Sequence, residues 1–274
     1  MKFFLKGFKR GTAKGEDSSD VVRRLSYRVA NLQGMGTRER QEDSFAFSNA
    51  LDVTEIHRRG LLAVVADGMG GMRDGRLASE TAITELKRSF EEMDRSGDLA
   101  RQLCDGVYAA GEQVLRALEG EGGSTVVVCM VFQEQLYFAS VGDSFLYLKR
   151  GGQLLRLNLA HNCRNQTYLE TIRRGSMDPN EGNNHREKAA LTQFLGMEGM
   201  DEVDFLRRPL PLREGDVLLL CSDGVGGVLD EGELALCLAE DTPKNMCAAM
   251  ERGIVQKGRS SMDNYTALVI QCGY

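Results

Sequence analysis

A chain of 274 residues, 42% of them hydrophobic and only 4 of them proline, can bury a sizeable core, and no linker-like block interrupts it, so a single main domain is expected. The formal net charge of −6 argues against a nucleic-acid binding face, which needs a basic excess, and suits a cation binder. The 7 cysteines include no Cys-x-x-Cys pair and the 3 histidines are isolated, which argues against both a disulfide framework and a histidine-based zinc site. Cys129, Cys221 and Cys237 lie inside apolar runs, as reduced, buried thiols of a cytoplasmic protein would.

The chain opens with Phe3, Phe4, Leu5 and Phe8 set among Lys2, Lys6, Lys9 and Arg10. That pattern lacks the continuous apolar core of a signal peptide, and no later segment is long enough to span a bilayer. Residues 1–22 read as a tail, loose or docked as a short strand, ahead of a domain over 23–274. Gly34-Met35-Gly36 is a glycine turn, after which Ser44-Phe45-Ala46-Phe47 alternates as a strand. Arg38, Glu42 and Asp43 therefore stand where a strand begins.

Leu61-Leu62-Ala63-Val64-Val65-Ala66 is an unbroken apolar run of strand length, expected to be covered on both faces. It breaks on Asp67, followed by Gly68, Gly70 and Gly71, residues that admit positive φ or close approach of a ligand. The same grammar recurs late in the chain, where Val217 to Cys221 leads through Ser222 to Asp223-Gly224-Val225-Gly226-Gly227.

Between these strands, Asp74 to Met93 reads as a helix with Ile83, Leu86, Phe90 and Met93 on its apolar stripe and Glu85 off it. A second helix is expected from Leu99 to Leu118, with Leu103, Val107, Ala110, Val114 and Leu118 inward. A β block follows: Ser124 to Phe132, Gln135 to Val141, Phe145 to Lys149 and, after the Gly151-Gly152 hairpin turn, Gln153 to Leu157. Short turns between successive strands predict antiparallel pairing. His161 to Ala190 is polar and irregular, with one short helix expected near Gln166 to Arg174. Thr242 and Pro243 open a last helix through Ile254, and Ala267 to Gln271 closes the chain as a strand.

Asp43, Asp67, Asp223 and Asp263 thus each lie at a strand–loop junction, with Asp143 a fifth carboxylate in Gly142-Asp143-Ser144. Hard divalent cations take carboxylate, carbonyl and water oxygens, so this set points to Mg²⁺ or Mn²⁺. The bare carbonyl of Gly68 is a further oxygen donor.

From about Tyr27 onward the chain resembles the metal-dependent protein serine/threonine phosphatases of the type 2C class, in their short bacterial form. The motifs that carry the resemblance occur in family order. They begin with Arg38-Glu39-Arg40-Gln41-Glu42-Asp43 and Asp67-Gly68-Met69-Gly70-Gly71, the latter with Gly75 and Ala78-Ser79. Gly123-Ser124-Thr125, Val141-Gly142-Asp143-Ser144 and Leu191-Thr192-Gln193-Phe194-Leu195-Gly196 follow. Cys221-Ser222-Asp223-Gly224 and Asp263-Asn264-Tyr265-Thr266 complete the set.

The resemblance implies an α+β fold, a sandwich of two antiparallel sheets flanked by pairs of helices in four layers. It also implies two core Mn²⁺ or Mg²⁺ ions. Asp67 would bridge them, Gly68 would lend its carbonyl, and Asp223 and Asp263 would complete one shell. Asp43, and Glu42 through water, would take part, and Asp143 would hold a weaker third ion. Arg38 matches the arginine that binds the substrate phosphate. The reaction implied is hydrolysis of phosphoserine and phosphothreonine in proteins by a metal-held water. A monomer, opposed by a serine/threonine kinase of the same pathway, fits this reading. The rival is a catalytically silent relative that binds a partner, although no metal carboxylate is missing.

Three positions depart from the family pattern. Met69 stands where many eukaryotic members have a histidine thought to protonate the leaving group. Phe145 replaces the usual arginine after Gly-Asp-Ser. The Asp-His-Ser element is reduced to Ala160-His161-Asn162, so His161 is given no role.

Overall fold

The computed structural model describes residues 24–69, 74–176, 178 and 180–274. The expected tail over residues 1–22, and Gly70 and Gly71 of the glycine loop, lie outside the described residues. In chain order the elements are β1 (Ser26–Gly34), β2 (Asp43–Ser48), α1 (Val53–Arg59), β3 (Leu61–Asp67), α2 (Gly75–Glu92), α3 (Leu99–Leu118), β4 (Val126–Phe132), β5 (Gln135–Val141), β6 (Phe145–Arg150) and β7 (Gln153–Arg156). The second half adds α4 (Cys163–Arg173), α5 (Asn180–Asn183), β8 (Asp204–Phe205), β9 (Leu210–Pro211), β10 (Val217–Cys221), α6 (Asp223–Gly226), α7 (Glu231–Cys237), α8 (Pro243–Gln256) and β11 (Tyr265–Gly273).

The strands form two antiparallel sheets, one in the order β1-β11-β10-β6-β7 and the other β2-β3-β4-β5-β8, with β9 beside β5. β3 is buried throughout its apolar run because both of its faces are covered. Leu61, Ala63 and Val65 point into the inter-sheet core with Val127, Leu218 and Leu268, while Leu62, Val64 and Ala66 pack under α2 and α3. On the far side, Leu219 and Val269 meet Met246, Met250 and Ile254 of α8. The result is the four-layer αββα sandwich, with successive residues of each central strand feeding different layers.

The helices obey local signals. Asp74, Asp98, Asp230 and Thr242 each cap a helix by accepting a backbone N–H from the first turn. The stripe of α3 is buried as expected, but Glu85 of α2, assigned to the outer face, is only 7% exposed. It survives there because Arg88, one turn on, pairs with it from the solvent side. Cys129 and Cys221 are buried thiols, whereas Cys237 is half-buried at the end of α7. The short helix expected near Gln166 starts earlier, at Cys163, because Asn162 caps it by accepting from Asn165 N.

Candidate active site

The two sheets bring the carboxylates together at one end. Asp43 and Asp67 are register partners on β2 and β3, so their side chains share one face at the edge of the inter-sheet space. From the other sheet, β10 ends at Cys221, and Ser222 N donates to Thr266 O at 3.0 Å, which sets Asp223 beside the start of β11. Asp223 is not on a loop: it begins the one-turn helix α6. Gly224 is required there, since a Cβ on it would lie 1.9 Å from the carbonyl oxygen of Asn264. Gly68 is fixed by the same logic of close approach rather than by positive φ. A Cβ on it would lie 2.0 Å from the Gly75 carbonyl oxygen at the start of α2.

The floor of the site is a buried network. Ser222 Oγ donates to Asp43 Oδ2 at 2.8 Å and itself accepts from Thr266 N at 3.0 Å. Gln33 Nε2 donates to Thr266 Oγ1 at 3.3 Å and to the Asp43 carbonyl at 3.2 Å. Asp67 lies within hydrogen-bond reach of both Asp43 and Asp223. Its carbonyl oxygen accepts from Ser124 Oγ at 2.9 Å and from Thr125 N at 2.8 Å, which locks the end of β3.

Crowding these acids has an electrostatic cost. Burial pushes the Asp43 carboxyl up to about 6, against hydrogen bonds from Thr266 and Ser222 that favour its charged form. Burial, reinforced by Asp43 and Asp223, holds Asp67 well above the ordinary carboxylate range. Asp223 is raised by burial and by Asp263. Asp143 is pushed up to about 6 by burial and by Asp223. Each carboxylate is thus disfavoured as an anion by its neighbours, a deficit that a divalent cation relieves. The carboxylates approach pairwise; among the described residues no group of three His, Cys, Asp or Glu side chains surrounds a single point.

Arg38 and Asp263 form the rim. Arg38 Nη2 donates to Asp263 Oδ2 at 2.6 Å, and both side chains are about half exposed, at 49% and 44%. Glu42 is placed by its main chain, whose N–H donates to Asn264 Oδ1 at 2.7 Å and whose carbonyl accepts from Ser79 Oγ at 2.6 Å. All the expected residues therefore border one site, on five elements or their ends.

Several neighbours carried no signal of their own in the sequence. Ser222 and Asn264 stand next to expected ligands but act across the chain, which a linear reading does not see. Three residues brace the turn that carries Asp143. His161 N donates to the Gly142 carbonyl at 2.8 Å, and Gly142 N donates to His161 Nδ1 at 3.2 Å, so His161 supports this turn. Asn158 Nδ2 donates to the Ser144 carbonyl at 2.9 Å. The guanidinium of Arg156 lies 4.1 Å from the centroid of the Phe145 ring and donates to the Asp143 carbonyl at 3.3 Å. A cation from β7 thus occupies the neighbourhood of Phe145.

The arrangement can be set beside known proteins. Residues 37–252 match the family model described as protein phosphatase 2C. The chain belongs to the protein phosphatase 2C family. It is 31% identical over 222 residues to the serine/threonine phosphatase stp of Listeria welshimeri, covering 77% of this chain and 84% of that one. It is 28% identical over 195 residues to protein phosphatase PhpP of Streptococcus pneumoniae, covering 69% and 77% respectively. The crystal structure of the PPM Ser-Thr phosphatase MsPP from Mycobacterium smegmatis, in complex with cacodylate, superposes with a TM-score of 0.70 at 27% identity, over 89% of this chain and 97% of that one. As a member of the protein phosphatase 2C family the protein is an enzyme, a protein phosphatase. No helix among the described residues is long and apolar enough to cross a membrane.

Proposed function

We propose that this phosphatase hydrolyses phosphoserine and phosphothreonine in proteins at the end of the β-sandwich, using a divalent-cation centre built on Asp67. The observation that carries the reading is the placement of Asp67 within hydrogen-bond reach of buried Asp43 on one side and of Asp223 on the other, beneath a half-exposed arginine. Their donors are oxygens alone, and their mutual repulsion matches what a hard cation neutralises, so the residues fit Mn²⁺ or Mg²⁺. Asp67, the Gly68 carbonyl, Asp223 and Asp263 would hold the core ions, with Asp43, and Glu42 through water. Asp143, on its braced turn, would hold a further ion. Bound cations supply positive charge against the phosphoryl oxygens and lower the pKa of a coordinated water toward neutrality.

The remaining work falls to the chain. Ser222 and Thr266 hold the Asp43 carboxylate in one orientation. Arg38 stands at the mouth with a planar fork suited to two oxygens of a phosphate dianion. Binding the substrate requires it to leave Asp263. Met69 cannot donate a proton, so no side chain at that position serves the leaving group as acid. Burial raises the Cys221 thiol to about 12, which keeps it protonated and unfit as a nucleophile. Attack by water in a single displacement is the reaction these groups support. Phosphorylated proteins are then the partners, and a serine/threonine kinase makes the substrate.

Steady-state turnover of a phosphothreonine peptide tests the reading. Activity with Mn²⁺, its loss in EDTA and its return with added Mn²⁺ are expected. Turnover that survives exhaustive chelation would contradict it, and a fully metal-loaded yet inactive protein would favour a silent, partner-binding relative.

A further inference from the structure

The side chain of Arg38 is half exposed, and among the described residues its one ion pair is with Asp263. Its aim therefore depends on the loop beneath it. That loop is held chiefly by one buried side chain. Asn264, 4% exposed, donates from Nδ2 to the carbonyls of Met35 and Arg40, both at 3.0 Å, and accepts from Glu42 N at its Oδ1, at 2.7 Å. Two carbonyls and one N–H as partners fix the orientation of the amide without ambiguity. The three bonds reach both sides of Arg38. Gly36, at φ 60°, lets the loop lie flush on the Asp263 backbone, where a Cβ would come within 2.2 Å of the Asp263 carbonyl oxygen. Thr37 adds a second tie, its Oγ1 donating to the Met262 carbonyl at 3.1 Å and accepting from Met262 N at 2.9 Å. On its other side Asn264 is wedged against Gly224 of the Asp223 turn.

We propose that Asn264 is a positioning residue for Arg38: it registers the arginine-bearing loop against the backbone that carries Asp263 and Asp223, and so sets the distance from the guanidinium to the phosphate. The inference rests on the reading of Arg38 as the phosphate-binding residue. Asp43 is held separately, by Ser222 and Gln33. Loss of Asn264 should therefore appear in substrate binding and leave the carboxylate floor in place.

The test is a pair of double-mutant cycles. Asn264→Ala and Thr37→Val are each made in the wild-type and in the Arg38→Ala background, and assayed with a phosphothreonine peptide at saturating Mn²⁺. Asn264→Ala is expected to raise KM about tenfold and to leave kcat within about threefold, since misaiming a charged fork weakens ground-state and transition-state binding alike. Thr37→Val should shift KM in the same direction by less. In the Arg38→Ala background neither change should raise KM further, because the residue through which they act is gone. Calorimetric Mn²⁺ affinity should stay within about threefold of wild type, well short of the roughly 10–100-fold loss typical when a metal ligand's support is removed. Trypsin should cut after Arg38 and Arg40 faster in metal-free Asn264→Ala than in metal-free wild type. Additive effects on KM, or a loss of Mn²⁺ affinity with KM unmoved, would overturn the inference and leave the reading of Arg38 intact. An unchanged KM in Arg38→Ala alone would overturn the reading of Arg38, and this inference with it. If Asn264→Ala does not fold, the Thr37→Val cycle decides by the same criteria.

Discussion

The floor and the rim of the site are held in opposite ways. On the floor, functional side chains are tied directly to other side chains: buried Ser222 grips buried Asp43, and Asp67 faces both Asp43 and Asp223. On the rim, Arg38 and Asp263 are about half exposed and pair with each other, and the further ties run through the main chain, Asn264 N donating to Asp263 Oδ1 at 2.8 Å. A buried group constrained at its carboxylate has one geometry, as a metal ligand needs. An exposed guanidinium on a clamped loop keeps rotamer freedom within a fixed radius, as the exchange of Asp263 for a substrate phosphate proposed for Arg38 requires.

The comparison breaks most sharply at the core carboxylates. Asp223→Asn should lower kcat by on the order of a thousandfold or more, because in the proposed role of core ligand Asp223 would fix the position of the attacking water. Asp143→Asn, on the braced turn to one side, should slow turnover substantially yet leave tight Mn²⁺ binding in place. Calorimetric titration of both variants checks the split, and the reverse assignment would show that the two roles have been exchanged. Ser222→Ala keeps every expected ligand and removes a donor to Asp43 together with the acceptor for Thr266 N. It should weaken Mn²⁺ binding by roughly 10–100-fold, with KM for the peptide at saturating metal little changed. Arg38→Ala should do the opposite, raising KM by about tenfold or more through loss of a charge-assisted contact while Mn²⁺ affinity holds. If both variants shifted KM and metal affinity together, the division into floor and rim would fail.

A smaller effect follows from the charge crowding. Asp43 and Asp143, at about 6 in the folded metal-free protein, titrate near 4 once unfolded. The folded state therefore binds more protons between those values, and the contribution of these groups to stability falls as pH rises from about 4 through about 6. Metal-free Asp43→Asn should lose less Tm than wild type over that window, and Mn²⁺ should erase the difference in slope. Parallel melting curves for variant and wild type would argue that Asp43 is not under electrostatic stress.

Much of this molecule was legible before its fold was known, for identifiable reasons. β3 and β10 are apolar runs of strand length that end in Asp-Gly, and α3 repeats its apolar residues at helical spacing, so burial wrote these elements directly into the chain. β1 was not read as a strand: it lies at a sheet edge, and its residues alternate only between exposed and half-buried over most of its length. α1 buries only Ile56 and is too short to show a stripe. The carboxylates of the site stood out because each interrupts a regular element. Their supports did not, because Ser222 reaches Asp43 across 179 residues and Asn264 reaches Glu42 across 222. Such bonds exist only once the two sheets have packed. His161, given no role, braces the Asp143 turn from a motif whose flanking residues differ from the family pattern.

The central claim, proposed above, is that the neighbouring carboxylates of Asp43, Asp67 and Asp223 form a divalent-cation site. Calorimetric Mn²⁺ titration of the wild type and of Asp67→Asn, run near pH 6 in buffers of different ionisation enthalpy, tests it most directly. The account predicts tight binding by the wild type with net proton release, as carboxyls held partly protonated by their neighbours give up their protons to the ions, and loss of both signals in Asp67→Asn. Wild-type binding without proton release, or equal binding by Asp67→Asn, would contradict it.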